Sequence, residues 1–177
     1  FLKTPDIGTN VVYGTSGVCS VIDIREEDFG GGKKLYYVLR PLGKHSTGTD
    51  IFVPADNERL LGKIKNVLTP QEIYELIDIV PEEHVEWIDD SRTRGIKFES
   101  VIAGGDRREL IAFTKATYNK KHELSKQGKK LSIADERFIR AAEKMLFEEF
   151  AFAFEIEQSE VRPFITKQIK CREKESV

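Results

Sequence analysis

The side chains able to do chemistry crowd into "EEHVEWIDDSRTRGIKF", residues 82–98. Trp87, the one tryptophan, stands among Glu82, Glu83, Glu86, Asp89 and Asp90, with Arg92, Arg94 and Lys97 just after it. Paired carboxylates could do acid–base work, but these alternate with polar and basic neighbours as a solvated helix face does, so no active site is expected from them. An indole beside arginines suits another task. Its flat face can stack on a base or wedge an unstacked step while guanidinium groups hold phosphates. The same ring could equally glue its segment to neighbouring helices. Chemistry alone leaves both readings standing.

Other catalytic signatures are missing from the sequence. His45, His84 and His122 are scattered without metal-ligand spacing, and Cys19 and Cys171 lie far apart. Neither a metal site nor a disulfide framework is expected, and no cofactor is called for. "GGG" at 30–32 precedes a strand rather than a helix, so it reads as a turn and not a phosphate cradle. No Gly-x-Ser-x-Gly elbow occurs. The expectation is a binding protein, not an enzyme.

The net charge of −2 conceals segregation. Residues 71–90 hold eight acidic and no basic side chains, whereas residues 91–130 hold eleven Lys or Arg against four Asp or Glu. Such a basic block is an electrostatic footprint for a polyanion, or the salt-laced face of helices. No apolar run is long enough for a bilayer, no signal peptide is evident, and the cysteine usage suits a reducing compartment, so a cytoplasmic location is expected. The chain opens on Phe1, so a start residue is expected to have been processed, cut away or left out.

With 177 residues the chain suffices for one large domain or two small ones, and the pattern changes near residue 67. Before it, "NVVY" (10–13), "GVCSVIDI" (17–24), "KLYYVLR" (34–40) and "TDIFVP" (49–54) read as strands of a small, bent antiparallel sheet or barrel, with "GKHSTG" as a polar loop. After it come helices. Thr69, Pro70 and Glu72 form a start signal, and Pro81 ends that helix. A second helix is expected over 82–103, closed by Gly104–Gly105, which would put Trp87, Ser91 and Arg94 on one face. Asp106, with Glu109 reaching back, starts a third that runs to Lys126. Ser132 starts a last long one to about Ile156, in which "FEEFAFAFEI" reads as a buried helix rather than an aromatic ligand box. The tail "KCREKESV" is expected to be disordered.

Several stretches occur in a familiar order: "IGTNVVYGTSGVCSVIDI", "YYVLRPL", "IFVPADN", a tryptophan, "GGDRRELI" and "KKLSIADERFIRAAEKMLFEEFAFAF". Over residues 5–165 the chain resembles the CarD/CdnL-type bacterial transcription regulators. That resemblance implies a Tudor-like, all-β domain (1–66) docking on the RNA polymerase β subunit, then an all-helical DNA-binding domain (67–177). Trp87 would wedge into the minor groove of promoter DNA at the upstream bubble edge, stabilising or tuning the open complex. Arg92, Arg94, Lys97, Lys120 and Lys121 would hold the backbone. Asp50, Ile51, Phe52, Val53, Pro54 and Arg25 would meet polymerase, with the strand "TDIFVP" added to a polymerase sheet to give affinity. Phe52 replaces an arginine common in relatives, which implies a more apolar contact. A monomer is expected, with a domain-swapped dimer as the alternative.

Two rivals belong to other classes. One is a protein-interaction adaptor with Trp87 in its core, the other an enzyme acting on nucleic acid, which would require a cleft of convergent carboxylates. Charge reversal of Arg92 and Arg94 separates DNA binder from adaptor by its effect on salt-sensitive DNA affinity.

Overall fold

A computed structural model describes residues 4–44 and 46–175. The strands are β1 (Asn10–Tyr13), β2 (Val18–Glu27), β3 (Lys34–Pro41), β4 (Ile51–Pro54) and β5 (Ile64–Asn66). The helices are α1 (Glu58–Leu61), α2 (Pro70–Ile79), α3 (Ser91–Gly104), α4 (Arg107–Lys126), α5 (Ile133–Phe154) and α6 (Gln158–Glu175). Two compact units divide between Val67 and Leu68.

In the first unit the strands form one antiparallel sheet in the order β4-β3-β2-β1-β5, which leaves β4 and β5 as edges. β-Branched residues fill β1 and β2 because a pleated, half-buried surface suits stiff side chains. A register shift between Val21 and Asp23 bends β2, so that one ten-residue strand serves both halves of the sheet. Val11, Cys19, Val21, Tyr37, Leu39 and Val53 make the core. Leu60 and Leu61 of α1 pack on it, held by the Asn57 side chain, which accepts from the Leu60 N–H. Neither α1 nor β5 was expected from the sequence.

The second unit is helical. Thr69 and Glu72 form the reciprocal cap on α2 that their spacing predicts. Asp106 and Ser132 cap α4 and α5 by accepting from the N–H groups of Glu109 and Asp135. Glu109 does not reach back: its carboxylate takes the Lys97 ammonium at 2.7 Å instead. A larger correction concerns α3, which begins only at Ser91, capped by Asp90, while residues 83–89 are irregular. Trp87 therefore shares no helical face with Ser91 and Arg94.

The tail also departs from expectation. Residues 170–175 of it are the last turns of α6, whose Val161, Phe164, Ile165 and Ile169 lie at helical spacing on the core. His45 and residues 176–177 lie outside the described residues. The aromatic run of α5 is packed as a buried helix reads, with Phe150 fully buried and Phe154 against Tyr74 and Phe164.

Glu149 ties this unit together from a buried position. It accepts from Arg107 Nε and Nη2, at 3.0 and 2.7 Å, and from the Leu68 N–H at 2.9 Å. Removing one partner of a buried pair strands the other charge. Glu149→Ala is expected to lower unfolding free energy by about 3–5 kcal/mol in urea titration, with the midpoint falling accordingly.

Candidate functional site

Trp87 is half-buried, and two cations hold the irregular chain around it. Upstream, Lys115 Nζ of α4 donates to the carbonyls of Val80, Pro81 and Glu83, at 2.8, 2.8 and 2.9 Å. Downstream, Arg94 Nη1 donates to the carbonyls of Ile88 and Asp89, at 2.7 and 3.1 Å. These carbonyls are bonded to side chains instead of to helical N–H groups, and Pro81 cannot donate at all. That is why the expected helix over 82–90 does not form.

Arg94 does more than hold the backbone. Its Nε and Nη2 meet both oxygens of Asp135 on α5, at 2.8 and 3.1 Å, with both side chains almost wholly out of water. Its guanidinium carbon lies 4.5 Å from the Trp87 ring centroid. On another side the indole meets Phe98 edge-on at 6.5 Å, and Phe98 stacks on Phe138 at 3.9 Å. Trp87 is thus seated on the aromatic core and on a fixed guanidinium, a contact worth about 0.5–2 kcal/mol.

Burial pushes the Asp135 carboxyl upward, but hydrogen bonds from Arg94 and Ser132, together with the Arg94 charge, outweigh it and hold the group below the ordinary carboxylate range. A depressed carboxylate contributes stability that is present above its unfolded value and is lost as pH falls through the folded one.

The basic residues expected on DNA divide by this geometry. Arg94 is turned inward: its guanidinium is engaged inside the fold and would leave Asp135 bare if it turned outward. Lys97 is partly exposed, paired with Glu109 and 5.2 Å from the Phe113 ring centroid. Arg92 is exposed and, among the described residues, has no ion-pair partner. Lys120 Nζ lies 6.0 Å from the Trp87 ring centroid and 3.2 Å from Glu123. Lys121 is exposed and bridges to Glu136 at 3.1 Å. Beside the indole, Glu83, His84, Glu86, Lys120 and Glu123 help to line an open cleft of about 310 Å³. Asp135 and Lys115 were not picked out from the sequence, because their partners are distant in the chain.

On the sheet, alternation orients β4. Ala55 N–H donates to the Leu35 carbonyl at 2.9 Å, so residues 51, 53 and 55 direct their backbone groups to β3 while Phe52 directs its own to the open edge. Ile51 and Val53 face the core. The Phe52 ring lies on the opposite face, edge-on to Phe29 and Tyr36 at 5.2 and 6.2 Å. Arg25 covers it at 5.5 Å and is held by Asp23 and Glu27. Asp50 is engaged by Arg40 in a two-bond fork, at 2.8 and 2.9 Å, which keeps its carboxyl below the usual range. Pro54 ends the edge, having no N–H to offer. Phe29, 63% exposed, was overlooked because it stands outside any strand pattern.

Among the described residues no group of three His, Cys, Asp or Glu side chains is placed to hold a metal, and no helix is long and apolar enough to cross a membrane. Residues 6–65 match the family model described as the CarD-like/TRCF RID domain. No curated protein matches the chain.

Arg94→Met is expected to destabilise the protein by about 3–5 kcal/mol and to shift Trp87 emission to the red as the indole loosens. Asp135→Asn should cost a similar amount at neutral pH, and its urea midpoint should decline less steeply than that of the wild type as pH falls below the ordinary aspartate value, because Asp50, Asp56, Glu72 and Asp90 keep their own contributions.

Proposed function

From an N-terminal unit that is a CarD-like RNA polymerase-interacting domain, we propose that the chain is a non-catalytic transcription regulator that joins polymerase to promoter DNA. The sheet, of the Tudor-like kind, docks by its β4 edge on the β subunit. The carrying observation is that edge: a short strand whose Phe52 offers unpaired backbone groups together with an aromatic face shared with Phe29 and Tyr36. Strand addition takes affinity from the backbone and selectivity from such side chains. An uncovered edge is otherwise a liability, and four residues closed by proline keep it small.

The helical unit meets DNA at the upstream edge of the bubble. Trp87 wedges at a minor-groove step, which reads deformability and requires no recognition helix. Arg92 and Lys121 meet phosphates directly, and Lys120 accompanies the ring. The contact is weak alone, since acidic neighbours surround it, but tethering to polymerase raises the effective DNA concentration. A bacterial cytoplasm is the setting, and the monomer is the working form.

The adaptor reading keeps polymerase docking and gives Trp87 a purely structural task. Arg94 is unsuited to separate the two, because its charge reversal tests folding. Arg92→Glu with Lys121→Glu is suited, because both groups are exposed. That double variant should bind polymerase like wild type but lose at least tenfold in affinity for promoter DNA within the polymerase complex, and its log-log salt slope should flatten by about 1–2. Phe52→Glu should abolish polymerase capture. DNA affinity unchanged by the double substitution would favour the adaptor, and full capture by Phe52→Glu would remove the docking edge.

A further inference from the structure

A second cleft, of about 270 Å³, opens in the helical unit where α2, α4, α5 and α6 meet. Its lining is chiefly apolar, with Ile77, Val80, Ile111, Leu146, Phe150 and Ile165 among the contributors. Two features set it apart from loose packing. The first is Thr114, one of the lining residues, whose Oγ1 is buried and, among the described residues, without a hydrogen-bond partner. The neighbouring Thr117 shows the usual remedy, donating to the Phe113 carbonyl one turn back at 2.7 Å. A hydroxyl left unsatisfied out of water is costly, so an orphan on a residue that lines a cleft marks a place for a polar atom.

The second feature is charge. Arg162 and Lys115 line the cleft against a single carboxylate, Glu143. Glu143 already accepts from Arg162 and from the Tyr118 hydroxyl, and Tyr118 accepts from Arg162 Nη1 at 2.9 Å. Lys115 donates only to carbonyl oxygens, which leave its charge uncompensated. The wall therefore carries one excess positive charge beside an apolar interior. Arg162 itself is half exposed, so its guanidinium stands at the mouth.

We propose that this cleft binds a small amphipathic monoanion, with its apolar body on α2, α5 and α6 and its head accepting from Thr114 and Arg162. Volumes of this order suit compact ligands. Lys115 and Asn119 line this cleft and the Trp87 cleft alike, so an occupant lies one side chain from the indole's surroundings.

Decanoate is the probe, titrated into the full chain by calorimetry, with methyl NMR to locate it. Saturable binding is expected, with shifts concentrated on the methyls of Ile77, Ile111, Leu146 and Ile165. 1-Decanol should bind at least tenfold more weakly, a factor that reports the head group. Thr114→Val removes a hydroxyl with no partner, so stability should hold or rise while decanoate affinity drops several-fold. Arg162→Gln should weaken decanoate and leave decanol unchanged. The proposal is overturned by absent binding at millimolar decanoate, by equal affinity for decanol, by unchanged affinity in both variants, or by shifts elsewhere. None of these readouts involves polymerase or DNA, so they stand or fall apart from the promoter reading.

Discussion

One buried ion pair, Arg94 with Asp135, holds together the part of the helical unit on which Trp87 sits. It joins α3 to α5 across 41 positions of chain, and on its outer side it fixes the carbonyls of Ile88 and Asp89. Desolvating two charges is expensive, and hydrogen bonds must offset it. Here both carboxylate oxygens and four of the five guanidinium hydrogens are used. With that geometry in place, the guanidinium face becomes a fixed support for Trp87, and the indole gains orientation without deep burial. An aromatic wedge needs such support, because a freely rotating ring would lose its ordering entropy on every insertion.

The same economy explains the charge pattern. Eleven basic residues in 91–130 suggest a strong polyanion footprint, but many of them have internal duties. Arg94 and Arg107 neutralise buried carboxylates, Lys115 saturates backbone carbonyls, and Lys97 and Arg108 pair with Glu109 and Glu83. What remains toward solvent is Arg92, Lys126, Lys129 and Lys130, with Lys120 and Lys121 paired to Glu123 and Glu136. On the proposed reading, any DNA contact made through these groups is salt-sensitive, and tethering by the sheet edge would add to it.

The fold was legible where local rules dominate. Strand alternation over 10–13 and 34–40, the Thr69–Glu72 cap, and the starts at Asp106 and Ser132 appear where the pattern puts them. It failed where long-range partners override local preference. Residues 82–90 look helical, but Lys115 from the distant α4 captures the Glu83 carbonyl, and Arg94, turned inward by Asp135 of α5, captures those of Ile88 and Asp89. α6 was hidden by Pro163 and a charged tail, although Val161, Phe164, Ile165 and Ile169 already spell its buried stripe. For the candidate site, residue type drew attention to Trp87 and Phe52, whereas the direction of Arg94 was invisible, because nothing in its neighbourhood names Asp135.

The central claim is that Trp87 is held so that it can be inserted. Its most direct test is the lifetime of the open complex on one promoter, with cognate polymerase, comparing wild type and Trp87→Ala. Folding and polymerase binding of both proteins are checked in parallel. The account predicts a folded variant that still binds polymerase but returns the lifetime to that of polymerase alone. A folded variant with the wild-type lifetime would contradict it and leave the indole as packing.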